Sequence, residues 1–285
     1  MNYRHDFHAG NFADVLKHIV LTRILLHLTK KDTPLRFIDT HAGSGFYDLH
    51  GAQAEKTAEW RNGLGRLLQA GGLGSPSLPG VIEPYVKLVF PAIEPGLLYP
   101  GSPAIAAALL RPQDRLLLCE LHPDAAQDLR LHLGRDRRTK ILEIDGFMGL
   151  NAFVPPVERR GLVLIDPAFE ARDDLPRSLD LLQIAWRKWP TGVYMLWYPL
   201  KDRQETERFL RPLARGAMRR VLRIEFHVAA PMPLGPLVAN GLLIVNPPYP
   251  LVGELEIVLP YLAHVLGERS QPAYRLEWLA PEEPA

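Results

Sequence analysis

Asp166, Pro167 and Phe169 stand at the end of the aliphatic run Gly161-Leu162-Val163-Leu164-Ile165, with Ala168 between the proline and the ring. A carboxylate, a backbone carbonyl and an aromatic face delivered together can accept hydrogen bonds from an amine and stack on a flat heterocycle. The run before them is apolar throughout, as in a strand covered on both faces of a parallel sheet, and Asp-Pro ends it as a turn. In open α/β sheets ligands lie beyond the carboxyl ends of the strands, so the trio would arrive at a functional edge. A plain turn is the alternative, and only the surroundings separate the two.

Three other predicted strands end in the same chemistry. Leu35-Arg36-Phe37-Ile38-Asp39 runs into Thr40-His41-Ala42-Gly43-Ser44-Gly45, whose glycines permit a tight turn and close approach of a ligand to backbone N–H groups. The full dinucleotide fingerprint and the P-loop are both absent. Arg115 to Glu120 ends on a carboxylate able to accept from two ribose hydroxyls, with a solvent-facing strand end as the other reading. Ile141-Leu142-Glu143-Ile144 ends on Asp145-Gly146. Acids at four successive strand ends repel one another unless a ligand with hydroxyls, an amine and a cation sits among them. S-adenosylmethionine has all three: hydroxyls for Glu120, an adenine amine for Asp145, and an ammonium and a sulfonium for the remaining acids. NAD fits less well, because carboxylates would repel its pyrophosphate.

The elements that must hold these ends read as an α/β protein. Asn11 is an N-cap for a helix with Leu16, Ile19, Val20, Ile24 and Leu28 on one face, ending at Lys30-Lys31, with Lys17 and His18 in its first half. Residues 46 to about 100 break the βα rhythm with helix-like stretches at 53–66 and 81–90 around a Gly- and Pro-rich loop, and read as an insertion. Ser102-Pro103 opens a helix to Leu110, so Ser102 can be an N-cap. Helices are expected at 123–133, 177–188, 201–214 and 253–266, a fifth strand at 193–198, and two antiparallel edge strands at 219–228 and 242–245, before a Pro- and Glu-rich tail.

The 285 residues, 47% hydrophobic, suffice for one large domain or one domain with a small companion. Thirty-three Lys and Arg against 32 Asp and Glu leave a net charge of +1, so nucleic-acid contact would need local patches. Arg135 to Arg138, Arg159-Arg160 and the insertion are the candidates. The lone Cys119 excludes an intramolecular disulfide or a cysteine-based zinc site, and His5, His8 and His18 have no acid at a convincing ligand spacing, so no metal is expected. No apolar signal core opens the chain and no apolar run reaches the ~18 residues of a span, so the expectation is a soluble, cytoplasmic monomer without membrane contact.

The order of strand, glycine turn, acidic end, Asp-Gly and Asp-Pro-x-Phe resembles the class I methyltransferases, and within them the adenine-N6 group with its Asp/Asn-Pro-Pro-Tyr/Phe signature. More closely, Tyr3-Arg4-His5 with Phe7-His8-Ala9-Gly10-Asn11, Ala13-Asp14-Val15-Leu16-Lys17-His18, Asp39-Thr40-His41-Ala42-Gly43, Tyr99-Pro100-Gly101-Ser102-Pro103, Glu120-Leu121-His122-Pro123, Asp145-Gly146-Phe147 and Leu196-Trp197-Tyr198-Pro199 resemble the RlmJ family of 23S ribosomal RNA adenine-N6 methyltransferases. The likeness runs from residue 3 to beyond residue 250. It implies a Rossmann-like methyltransferase domain over residues 1–46 and 98–285, including an N-terminal arm, with a small inserted helical subdomain at 47–97. It also implies S-adenosylmethionine contacts from His18, His41, Ser102, Glu120, Asp145, Gly146 and Asp166. Catalysis would fall to Asp166, Pro167 and Phe169, and Tyr3 and Phe169 would meet the substrate adenine.

Ala168 departs from the family's second proline and puts the stiffness of the turn in question. Asn246-Pro247-Pro248-Tyr249 matches the bare signature better but follows the seventh predicted strand, away from the switch point. A class I methyltransferase of small molecules or proteins, and a non-catalytic binding module, are the other functional readings.

Overall fold

The computed structural model describes residues 5–94, 96, 98–171, 173–230, 235–267 and 274–282. A 3-10 turn (His5–Phe7) precedes helix α1 (Phe12–Leu28) and strand β1 (Arg36–Asp39). The two-residue strand β2 (Phe46–Tyr47) then leads through α2 (Ala52–Thr57), a π-helical turn (Arg61–Gly65), α3 (Arg66–Gly71), α4 (Glu83–Val89) and a 3-10 turn (Phe90–Ile93) to β3 (Tyr99–Pro100), which pairs antiparallel with β2. Alternation resumes with α5 (Ser102–Leu109), β4 (Arg115–Cys119), α6 (Pro123–Leu133), β5 (Thr139–Leu142), α7 (Gly146–Phe153), β6 (Gly161–Ile165), α8 (Asp174–Lys188) and β7 (Val193–Pro199). The last elements are α9 (Arg203–Arg215), β8 (Val221–His227), β9 (Ala239–Val245), α10 (Leu251–Leu266) and β10 (Tyr274–Ala280).

Among the described residues eight strands form one sheet in the order β5-β4-β1-β6-β7-β9-β8-β10. The first five of that order run parallel, and β9, β8 and β10 add antiparallel neighbours. Because successive strand side chains point to opposite faces, each strand feeds two cores. Phe37, Leu162, Leu164, Met195 and Ile244 pack with α1, α5, α6 and α10 on one face. Ile38, Val163, Ile165, Leu196 and Val245 pack with α7, α8 and α9 on the other. The expected mostly parallel sheet with an antiparallel edge is therefore present.

Several local expectations change. Helix α1 is buried on nearly every side rather than along one face, because the segment between β2 and β3 wraps it: Leu64, Leu67, Tyr85, Val86 and Val89 join the same apolar cluster as Leu16, Ile19 and Ile24. The helix expected at 53–66 is divided into α2 and the π-helical turn, with Ala58 in a left-handed conformation at the break. The third parallel strand starts two residues earlier than the apolar run suggested. Residues 146–153, given no element from the sequence, form α7, with the Asp145 carboxylate accepting from the Phe147 and Met148 N–H groups as its N-cap. The supposed tail contains β10, in which Tyr274, Leu276 and Trp278 alternate with Arg275 and Glu277 along the edge beside β8. No helix among the described residues is long and apolar enough to cross a membrane.

Candidate active site

The sheet's chain order reverses between β1, which continues to β4, and β6, which continues to β7. Asp39 is in register with Leu118 on one side and Leu164 on the other, so Asp166 emerges two residues beyond that level. Alternation gives both carboxylates the face that carries Phe37 and Leu164, the face covered by α1 and α5. Beside them lies a cavity of about 470 Å³, within the usual range for a small-molecule site. His18, His41, Ser102, Glu120, Asp166, Pro167 and Phe169 all line it.

Each helix brings a polar group to this edge. The Ser102 hydroxyl, in the first turn of α5, donates to Asp39 Oδ2 at 2.6 Å. Gly101 is the N-cap and the Ser102 side chain caps nothing, which corrects the capping expectation. Burial lifts the Asp39 carboxyl to about 7, with the Asp166 charge adding to the rise and the Ser102 hydrogen bond opposing it. Gly43, at φ +62°, donates its N–H to Glu120 Oε2 at 2.8 Å, and His122 donates its N–H to Oε1 at 2.7 Å. Two backbone donors fix the Glu120 carboxylate while leaving lone pairs for a ligand hydroxyl. Desolvation pushes His41 down to about 4 and His18 to about 3, so both rings are neutral near pH 7. His18 Nδ1 sits 2.8 Å from the Tyr99 hydroxyl.

The centre of the arrangement is a pair of residues to which the sequence reading gave no role. Lys17 Nζ donates to Asp166 Oδ2 at 2.5 Å and to Asp14 Oδ1 at 2.8 Å, with its side chain only 6% exposed. Asp14 also accepts from the Gly10 N–H at 2.9 Å and stands 2.9 Å from His5 Nε2. Burial alone would lower the Lys17 pKa, but the charges of Asp14 and Asp166 outweigh it and hold the amine protonated well above its ordinary range. Burial likewise opposes ionisation of Asp14, and the charges of His5, Lys17 and His18 overcome it and keep the carboxyl well below its ordinary value. The available sequence signal was a Lys three residues after an Asp in a helix rich in aliphatic residues. Buried charges of that kind are nearly always paired.

Phe169 has φ 52°, an uncommon left-handed value for an aromatic residue, and its ring meets the edge of Trp197 at 5.5 Å between centroids. Strain of this sort gathers at functional turns. Asp145 and Gly146 do not line the cavity. Besides capping α7, Asp145 accepts from Arg177 at 3.2 Å, while Arg177 lies 4.2 Å over the Phe147 ring. Gly146 has a packing reason: a Cβ there would come 1.8 Å from the Thr40 carbonyl oxygen. Gly146→Ala is expected to cost about 1–3 kcal/mol by forcing α7 off β1, read as a lower urea midpoint; an unchanged midpoint would contradict that close approach.

Other expectations fall elsewhere. Tyr3 lies outside the described residues. Arg138 is clamped to Asp136 and to the Leu110 and Ala107 carbonyls, and Arg160 donates to the Thr33 and Leu28 carbonyls, so both are structural and sit at the amino-terminal ends of β5 and β6, on the rim opposite the cavity. Asn246-Pro247-Pro248-Tyr249 lies on that far rim too, since β9 runs antiparallel to β7. Its Asn246 amide donates to the Pro190 and Gly192 carbonyls, and Tyr249 is 93% exposed. Among the described residues no group of three or more His, Cys, Asp or Glu is placed to hold a metal ion.

A family model described as ribosomal RNA large subunit methyltransferase D, RlmJ, matches residues 32–280. The chain is 40% identical over 285 residues to the ribosomal RNA large subunit methyltransferase J of Haemophilus influenzae, covering 99% of this chain and 100% of that protein. Its counterpart in Escherichia coli K12 is 39% identical over 284 residues, with the same coverage. Among solved structures, a Legionella pneumophila protein at 37% identity superposes with a TM-score of 0.85 over 95% of this chain and 98% of that one.

Proposed function

The chain belongs to the RlmJ family of ribosomal RNA large subunit methyltransferases, and from that premise we propose that it transfers a methyl group from S-adenosylmethionine to the N6 amine of an adenine in 23S ribosomal RNA. The observation that supports this most is the buried Lys17 amine on one oxygen of Asp166, beside the Pro167 carbonyl and the Phe169 ring. That arrangement suits an aromatic amine, whose lone pair is spread into its ring and must be localised before it can attack.

When bound, S-adenosylmethionine supplies an electrophilic methyl group on a sulfonium. On this reading Glu120 accepts from the ribose hydroxyls, with His18, His41 and Ser102 along the wall. Asp145 reaches the cofactor's adenine amine only by exchanging Arg177 for it, and Gly146 acts through packing. At the substrate end, Phe169 and Tyr3 stack on or reach the extruded base, as in enzymes that do chemistry on a base. Asp166 Oδ1 and the Pro167 carbonyl accept from the two N–H groups of the amine, drawing the nitrogen toward tetrahedral geometry and stabilising the positive charge that builds there. Lys17 holds Oδ2, so the carboxylate is oriented, and Oδ1 takes the proton released. Residues 47–97 serve as the inserted subdomain that buries α1, and the protein works as a cytoplasmic monomer.

The Asp39 pKa gives the cofactor affinity a sign. Below pH 7 the carboxyl is protonated, and a cationic ligand seated against Ser102 and His41 favours the ionised form behind them. Binding therefore releases a proton, and affinity should rise by up to ~10-fold in all between pH 6 and 8, most of it below pH 7, and level off above. Calorimetry across that range checks it, with Asp39→Asn flattening the profile. Labelled-methyl transfer tests the function itself: label should enter the adenine N6 of unmodified 23S ribosomal RNA and not a protein extract. Label in protein, or in a small molecule, would replace this reading with the broader methyltransferase one.

A further inference from the structure

We propose that the outward face of α9 is the track for the phosphate backbone of the RNA whose base enters the cavity, an inference that rests on the function just given. The cavity has two ends. Glu120, Gly43 and His122 line it on the β4 side of the sheet, and Trp197, Pro199 and Lys201 line it on the β7 side, where Phe169 meets Trp197, so a base stacked on Phe169 brings its strand in on the Lys201 side. Lys201 is exposed and stands two residues before α9 begins.

The direction of α9 follows from the sheet. β7 and β8 are both antiparallel to β9, so they run the same way, and the helix that joins them returns from the cavity rim toward the far rim. Thr206, Leu210 and Leu213 bury its inner face, while Arg208, Arg211 and Arg215, at i, i+3 and i+7, share the outer one. Arg203 stands at the rim end and all four arginines are exposed. From Arg203 to Arg215 the helix covers ~18 Å, enough for several consecutive phosphates.

Their pairing contrasts with that of several other arginines. Arg23, Arg36, Arg138 and Arg223 are tied to carboxylates within the fold. Among the described residues Lys201, Arg203, Arg211 and Arg215 have no carboxylate within ion-pair distance, and Arg208 has only Glu205, at 3.9 Å. A near-neutral chain has thus left a row of uncompensated guanidinium groups leading away from the substrate end of its cavity. Guanidinium forks match phosphate oxygens in geometry as well as charge.

The test uses the full chain with Arg208→Gln, Arg211→Gln and Arg215→Gln combined, all on an exposed face, and an Arg135→Gln/Arg137→Gln control on the far rim. Anisotropy with a protein-free 23S ribosomal RNA fragment, titrated from about 50 to 200 mM salt, should show the triple variant binding roughly tenfold more weakly, with the slope of log affinity against log salt reduced by about 2. The control should match wild type, as should the affinity of the triple variant for S-adenosylmethionine and its kcat at saturating RNA. Wild-type affinity and slope in the triple variant, or an equal loss in the control, overturns the track; an acidic protein as the true partner of α9 would give the first of these results. If the wild-type protein transfers no methyl group to ribosomal RNA, the functional reading fails, and the binding slopes still decide the track.

Discussion

Asp166→Asn is expected to lower kcat for methyl transfer by about 10³-fold or more while leaving S-adenosylmethionine binding measurable. The substitution keeps the shape of the side chain and removes its charge. One of its two terminal groups becomes an N–H₂ donor, and Lys17 Nζ, itself a donor, already claims the Oδ2 position at 2.5 Å. The amide must turn its oxygen to the lysine and its N–H₂ toward the substrate amine, where a donor faces a donor. Loss of an acceptor aimed at developing charge costs ~10²–10³ in rate, and loss of a proton acceptor ~10²–10⁴. Single-turnover kinetics with saturating RNA read the chemical step, and calorimetry reads the cofactor. Turnover close to wild type would remove Asp166 from the chemistry.

Lys17→Met is expected to destabilise the fold by about 3–5 kcal/mol at pH 7, the usual cost of removing one partner from a buried charge pair. Methionine fills the volume, so the loss isolates the charge. Asp14, 1% exposed, would keep a carboxylate with the Gly10 N–H and His5 but without its cation. The pH dependence follows from the depressed Asp14 pKa. A carboxyl held below its unfolded value of 3.8 contributes stability that is fully present above that value and is lost as pH falls through the folded one. The gap between wild type and variant should therefore be widest near neutrality and shrink below about pH 4 as the carboxyls take up protons. Urea unfolding at the two pH values measures it, and a gap independent of pH would mean that packing, not charge, set the cost. Methyl transfer should fall as well, since Asp166 loses the group that orients it.

These two experiments address residues of unequal visibility in the sequence. Asp166 was legible because a uniform aliphatic run ending in Asp-Pro has one reading as a buried strand and its terminus, and its neighbours Asp39 and Glu120 were legible for the same reason. Lys17 was not. An isolated Asp-x-x-Lys in an apolar helix gives burial but not a partner, and its partner lies 149 residues away. Asp145 was read for its position at a strand end, whereas its hydrogen bonds go to the start of α7, a helix whose Gly-Phe-Met-Gly opening carries little helical signal. Strand β10 was hidden by its surroundings of proline and glutamate, although the alternation of Tyr274, Leu276 and Trp278 with charged residues has the period of a half-covered edge strand.

What the sequence settled without help was the class of fold, the order of the parallel strands' acidic ends and the family likeness, because strand burial and turn chemistry are written in short local patterns. What the tertiary structure alone decided was which of those acids share a cavity and which cation they share it with. The parity of each strand residue assigns it a face, but the helix that covers that face is chosen by crossovers spanning the whole chain. Only when α1 was laid over β6 and β9, and sealed there by the segment between β2 and β3, did a lysine near the start of the chain become the counter-charge of an aspartate beyond its middle.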